Sequence, residues 1–290
     1  MRWLGGRESS NVDDRRGISG GGVAVGGGII GVIVIVLRLL LGGGGGDDGS
    51  LPMQIPGQQA TEMTAEEKAA DDQRAKFVRV VLGYTEDVWH KIFADKGSDY
   101  KEPTLVLFRG AVQSACGSAS SASGPFYCPS DEQLYIDLSF YQELSQRFQA
   151  PGDFAMAYVV AHEVGHHIQK LMGTSDKMAR LRQRLDETEY NKYSVMVELQ
   201  ADFLAGLWAH YVQQMKTPDM QNIIEPGDID EALNAANAIG DDMLQRKAQG
   251  YEVPESFTHG TSQQRIYWFK KGYTTGDMRQ GDTFNDPSLQ

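Results

Sequence analysis

The sequence predicts an α+β domain in which a small mixed sheet packs on several helices. Two observations lead to this class. Apolar residues recur with helical spacing over most of the chain after residue 60, and two short runs are rich in β-branched and aromatic residues. The chain has 290 residues, of which 41% are hydrophobic, and this is enough for one sizeable core. A sheet covered by helices would bury both kinds of element.

The first 60 residues predict a membrane anchor and a tether. Residues 1–21 are polar and arginine-rich, whereas 22–41 are apolar except for Arg38, and a run of this length can cross a bilayer as a helix. The alternatives are a cleaved signal peptide, although no Ala-x-Ala site follows, and a glycine-rich linker. Residues 42–60 are rich in Gly, Asp, Pro and Gln and predict a flexible linker. The globular domain is therefore expected at 61–290.

Charge on the two sides of the apolar run predicts an orientation. Arginines precede the run and acidic residues follow it, which places the N-terminus in the cytoplasm. We therefore expect a single-pass protein of the inner membrane, with its main domain extracytoplasmic, in the periplasm. The net charge of −12 argues against nucleic acid as a partner.

The two cysteines, Cys116 and Cys128, flank a segment rich in Ser, Gly and Ala. Their spacing is not that of a cysteine zinc site. Two thiols that close a loop of this size predict a disulfide, which would restrict the unfolded chain by about 3 kcal/mol and would need an oxidising compartment. The alternative is a pair of unrelated buried thiols.

Capping and periodicity predict the elements of the domain. The first helix begins at Thr64, with Glu67 at the capping-box position. The predicted helices are 64–93, 154–172, 187–215, 229–248 and 262–271, and the predicted strands are 104–112 and 132–139.

The segment Ala161–His167, AHEVGHH, contains His-Glu-x-x-His inside a predicted helix. Residues four apart share a helix face, so His162 and His166 can ligate one metal ion. Glu163 can accept a proton from a zinc-activated water, whose pKa is about 7. Gly165 costs the helix about 1 kcal/mol relative to Ala, and a close approach by another backbone would explain it. Because so short a motif also arises by chance, a third ligand is needed.

The next long helix offers that ligand. Glu198 would complete a His₂Glu site with an open fourth position. Asp202, one turn further on, would accept a hydrogen bond from the second ring nitrogen of His162 and fix its tautomer. The alternative is a pair of solvated helix acids, but the residues around them are largely apolar. The sequence therefore predicts one catalytic Zn²⁺.

These motifs resemble those of the bacterial neutral zinc metallopeptidases of the YpfJ-like group, in the gluzincin branch of the zincins. The similar stretches are HEVGHHIQ, ELQADFLAG, the opening Met-Arg-Trp, the Cys116–Cys128 segment, Ile239-Gly-Asp-Asp and His259-Gly-Thr. The resemblance covers nearly the whole chain and is weakest at 17–60. It implies a zincin-like fold, one catalytic zinc and an N-terminal membrane anchor, and it supplies no substrate.

Two further assignments concern the cleft. In gluzincins a downstream His, Tyr or Arg often stabilises the oxyanion, and His259, on a loop before a predicted helix, is the candidate here. A locally packed loop histidine is the alternative, and the rivals for the role are Tyr251, Arg265 and Tyr267. The strand 132–139 could hold an extended peptide along its edge, or it could be an ordinary interior strand.

The predicted function is zinc-dependent hydrolysis of peptide bonds in a protein or peptide substrate, with Glu163 as the general base. The alternative is a membrane-tethered binding or scaffold protein that keeps the fold and the metal but has little activity. A purely structural zinc fits less well, because structural zinc normally has four protein ligands. The sequence leaves the oligomeric state open.

Overall fold

The computed structural model describes residues 1–17 and 63–290. Over these residues the chain forms a four-stranded sheet, a two-stranded hairpin and eight helices, so the predicted α+β class is confirmed. The strands are β1 Val12–Asp14, β2 Thr104–Phe108, β3 Ala111–Ser114, β4 Gly117–Ser120, β5 Phe126–Cys128 and β6 Gln133–Asp137. The helices are α1 Ala65–Ala94, α2 Phe140–Gln142, α3 Asp153–Leu171, α4 Thr174–Arg182, α5 Glu187–Val212, α6 Asp228–Ala238, α7 Asp241–Gln249 and α8 Ser262–Thr275.

The four-stranded sheet is mixed and has the order β1-β2-β6-β5. Strands β1, β2 and β6 are parallel, with Leu105 opposite both Val12 and Leu134, whereas β5 runs antiparallel to β6. Strand β6 therefore lies inside the sheet. The prediction that 132–139 forms a substrate-binding edge is wrong, and its alternative, an interior strand, is correct. The edge next to β6 is formed by β5.

The helices α3 and α5 run through the core and contact each other closely. Gly165 allows this contact, because a Cβ atom there would lie 3.1 Å from the Ala201 carbonyl oxygen and 3.2 Å from its Cα. The predicted reason for a glycine inside this helix is thus confirmed. Aromatic stacking adds to the contact, since the rings of Phe154 and Trp208 have centroids 5.9 Å apart.

The predicted capping box at Thr64 and Glu67 is confirmed at the start of α1. The predicted single helix 229–248 is wrong, because the chain forms α6 and α7 with a break at Ile239 and Gly240. At Gly240 the backbone is extended and a side chain would collide with the backbone of Ser262. The break therefore brings the start of α7 against the start of α8.

A disulfide joins Cys116 to Cys128, as predicted. Cys116 lies in the turn between β3 and β4, and Cys128 ends β5. The disulfide therefore ties the hairpin to the edge strand of the sheet.

The N-terminal residues are an integral part of the domain. Strand β1 pairs with β2, and the buried carboxylate of Glu86 accepts hydrogen bonds from Arg7, Ser9 and Asn11. A chain that crossed a bilayer once at 22–41 would hold residues 1–16 and 63–290 on opposite sides, whereas these residues share one sheet. The predicted single-pass localisation, with the N-terminus in the cytoplasm and the main domain in the periplasm, is therefore wrong.

The helices of the described residues also give no support for a membrane span. Over 1–17 and 63–290, none is both long and apolar enough to cross a membrane. The longest helices, α1 and α5, carry charged side chains at several positions along their length. The segment 22–41, to which the anchor was assigned, lies outside the described residues.

Candidate metal centre

The two histidines of the motif lie one turn apart on the buried helix α3. Their ring centroids are 4.8 Å apart and the ring planes are nearly perpendicular. His162 is buried, with 6% of its surface exposed, and His166 is only partly exposed. The helical spacing predicted from the sequence therefore puts both imidazoles beside one point.

Glu198 projects from α5 toward the same point. Its carboxylate oxygens lie 3.1 Å from His162 Nε2 and 3.5 Å from His166 Nε2. One donor atom from each of the three residues falls within 4.8 Å of the others. Burial alone would raise the pKa of Glu198, but His166, His162 and His259 hold it well below its usual range. The carboxyl is therefore ionised, as a metal ligand must be.

Asp202 occupies the position that the sequence predicted, on the far side of His162. Its Oδ1 lies 2.9 Å from His162 Nδ1 and accepts a hydrogen bond from the Tyr158 hydroxyl at 2.5 Å. Arg265 donates to both oxygens of this carboxylate, at 2.8 and 3.1 Å. Burial would raise the pKa of Asp202, but Arg265 and His162 keep it below its usual value. The charged carboxylate therefore engages Nδ1 of His162 and leaves Nε2 facing Glu198.

Glu163 lies next to His162 in α3 and is buried. Burial raises the pKa of Glu163, and the two ligand histidines and the backbone amide of Tyr127 oppose this rise. Strand β5 thus runs beside the carboxyl group. His167 fixes this strand, because its Nε2 donates to the Lys101 carbonyl at 2.6 Å and its Nδ1 accepts from the Tyr127 hydroxyl at 3.0 Å. His167 is therefore a packing residue.

His259 is buried on the loop before α8 and lies close enough to influence the pKa of Glu198. Its Nδ1 donates to Asp241 Oδ1 at 3.1 Å. Its Nε2 is buried and has no hydrogen-bond partner among the described residues. The other candidates for stabilising the oxyanion are placed differently. Arg265 donates its hydrogen bonds to Asp202 and Tyr158, and Tyr251 and Tyr267 are largely exposed.

The roles of several residues of this centre were not predicted. Tyr158 and Arg265 hold Asp202, and Arg265 lies 63 residues from it in the sequence, so that no local spacing could reveal the contact. Gln169 accepts from His166 Nδ1 at 2.9 Å, and its position one turn after His166 was a usable signal. Asp241, which had no sequence-based role, holds the His259 loop.

The donor set matches zinc. Two imidazole nitrogens and one carboxylate oxygen are a ligand combination that catalytic zinc sites use, with a fourth position left for water or substrate. In each imidazole the other nitrogen is engaged by Asp202 or Gln169, so both Nε2 atoms are directed at the common point. The residues therefore fit one zinc ion, with Glu163 and His259 close to the ligands.

Comparison with known proteins gives the same family. The family model described as "Putative neutral zinc metallopeptidase" matches residues 1–284. The protein described as "Uncharacterized protein YpfJ" from Escherichia coli K12 is 48% identical over an alignment of 290 positions, which covers 98% of this chain and 99% of that protein. "Uncharacterized protein Rv2575" from Mycobacterium tuberculosis is 43% identical over an alignment of 196 positions, which covers 66% of this chain and 65% of that protein. No solved structure matches.

Proposed function

Since the chain belongs to the neutral zinc metallopeptidase family, we propose that it hydrolyses internal peptide bonds of protein or peptide substrates with one bound zinc ion. The observation that carries this proposal is the convergence of His162, His166 and Glu198, whose donor atoms lie within 4.8 Å of one another. Three protein ligands leave a coordination position open, which is typical of catalytic rather than structural zinc.

The positions of the side chains suggest a separate role for each of them in the reaction. His162, His166 and Glu198 would hold the zinc ion, which supplies a Lewis acid for a carbonyl and activates water near neutral pH. Glu163 would take the proton of the attacking water and pass it to the leaving amine. His259, as an imidazolium that keeps its Nδ1–H bonded to Asp241, would donate its Nε2–H to the oxyanion that develops on the scissile carbonyl.

The edge strand β5 is the proposed support for the substrate. Within the described residues it ends the four-stranded sheet, and the backbone amide of Tyr127 lies beside Glu163. An extended peptide that pairs with the outer edge of β5 would run past the metal ligands. This mode of binding uses main-chain hydrogen bonds and therefore suits unfolded protein segments.

The variant Glu163→Gln tests the proposed mechanism. The full zinc-loaded chain is incubated with an unfolded protein, and cleavage is followed by mass spectrometry together with zinc content. Glu163→Gln should keep its zinc but cleave about 10²–10⁴-fold more slowly, because the amide cannot accept the proton. Loss of zinc in this variant, or activity equal to that of the wild type, would reject the role of Glu163.

A further inference from the structure

Two buried glutamines connect the second metal ligand to the C-terminal end of the chain. His166 Nδ1 lies 2.9 Å from Gln169 Oε1. Gln169 Nε2 donates to the Val197 carbonyl at 2.7 Å and to Gln200 Oε1 at 3.1 Å. Gln200 Nε2 donates in turn to the Gly281 carbonyl at 2.9 Å. Gln169 and Gln200 are termed the amide relay below.

The direction of each hydrogen bond in the amide relay is fixed by chemistry. Val197 and Gly281 contribute main-chain carbonyls, which only accept, so each glutamine must turn its NH₂ group toward one of them. Gln169 is left with its oxygen toward His166, which has to donate from Nδ1. The imidazole is thereby held with its proton on Nδ1, and its Nε2 presents a lone pair on the side of Glu198.

Burial makes this arrangement difficult to replace. Gln169 has 1% of its surface exposed and Gln200 has 7%, so water does not compete freely for their polar atoms. The C-terminal end of the relay is anchored as well, because Thr283 donates to the Met196 carbonyl at 2.6 Å. The relay therefore joins α3, α5 and the C-terminal segment into one hydrogen-bonded unit.

We propose that Gln169 and Gln200 are positioning residues for His166, the counterpart of Asp202 for His162. This inference rests on the zinc-binding part of the proposed function. A hydrogen-bond partner behind a ligand histidine fixes its tautomer and orientation, and its loss typically weakens metal affinity about 10–100-fold. The competing explanation is that Gln169 only ties α3 to α5 through the Val197 carbonyl.

Two substitutions at residue 169 separate these explanations. Gln169→Met removes every polar atom of the side chain, whereas Gln169→Glu keeps an oxygen for His166 Nδ1 and loses the donation to Val197 and Gln200. Zinc affinity of the full chain is measured by competition with a chromophoric chelator, and thermal unfolding is measured in EDTA. The absorption spectrum of the Co²⁺ form reports the geometry of the site.

The positioning role predicts different results for the two readouts. Gln169→Met should bind zinc about 10–100-fold more weakly, and Gln169→Glu should recover most of that loss. Both variants should unfold at a lower temperature in EDTA, since both lose the tie to α5. The Co²⁺ spectrum should stay close to that of the wild type in Gln169→Glu and change in Gln169→Met.

Gln245→Met is the matched control. Gln245 is also buried, but its side chain forms its hydrogen bonds with Ser256 and Val253, neither of which is a metal ligand. This variant should lose stability and keep the zinc affinity of the wild type.

Three results would overturn the inference. If Gln169→Met had unchanged zinc affinity, or if Gln169→Glu bound zinc as weakly as Gln169→Met, the amide relay would only link the helices α3 and α5. A wild-type chain that takes up no zinc would overturn the proposed function, and this inference with it.

Discussion

Asp241 clamps His259 through both of its carboxylate oxygens. Oδ1 accepts from the imidazole Nδ1 at 3.1 Å, and Oδ2 accepts from the backbone amide of the same histidine at 2.6 Å. Oδ2 also accepts from the amides of Thr258 and Gly260, at 2.7 and 3.1 Å. Burial alone would raise the pKa of Asp241, but the His259 imidazole and the backbone amides of His259 and Thr258 hold that pKa below its usual value. The clamp therefore fixes the loop and the orientation of the His259 imidazole, including its Nε2.

His259→Ala is expected to reduce turnover without removing the metal. Loss of one oxyanion donor costs about 10²–10³-fold in kcat in comparable enzymes, and His259 is not among the three metal ligands. Cleavage kinetics and zinc content are measured on the same preparation, with His90→Ala as an exposed-histidine control. An unchanged kcat, or a loss of zinc, would contradict the assigned role.

Asp202→Ala is expected to destabilise the fold as well as the site. The substitution leaves the guanidinium of Arg265, which is 2% exposed, without its counter-charge. Removing one partner of a buried ion pair costs about 3–5 kcal/mol. Urea unfolding of the zinc-free chain measures this loss, and Asp176→Ala, which removes an exposed partner of Lys170, is the control.

The double variant Asp202→Ala/Arg265→Met completes this test. It should regain part of the lost stability, because the uncompensated charge is gone. A double variant less stable than Asp202→Ala alone would show that the unpaired charge of Arg265 does not cause the loss of stability.

Local spacing predicted the centre of the site but not its supports. His162, His166, Glu198 and Asp202 were found because helical periodicity places residues four apart on one face. Arg265 and the Asp241 clamp depend on how distant helices pack. The need for a glycine at residue 240 is explained only by the packing, because a side chain there would collide with Ser262.

The N-terminal prediction failed for a related reason. A hydropathy profile averages over neighbouring residues and therefore contains only local information. Strand β1 is held by pairing with β2, about 90 residues later in the chain. The hydrogen bonds of Arg7, Ser9 and Asn11 to Glu86 are equally non-local. No pattern inside residues 1–21 distinguishes such a segment from a polar tail before an anchor.

Deletion of residues 1–16 is expected to lower the Tm of the domain by roughly 10 °C. Several hydrogen bonds at about 1 kcal/mol each would be lost, the buried Glu86 would lose its partners, and each kcal/mol shifts the Tm of a domain of this size by about 2–4 °C. Differential scanning calorimetry gives the comparison. Leu4→Ser, at an exposed position of the same segment, should leave the Tm unchanged. A shortened chain as stable as the full one would contradict the fold.

The zinc content of the purified full chain, measured beside that of Glu198→Ala, is the most direct test of the His₂Glu centre. The exposed acid Glu187, at the start of the same helix, supplies the control variant Glu187→Ala. The His₂Glu centre predicts about one zinc per chain in the wild type and in the control, and a marked loss in Glu198→Ala. A folded wild-type chain that takes up no zinc when zinc is supplied, or a Glu198→Ala variant that keeps its zinc, would contradict a zinc site at His162, His166 and Glu198.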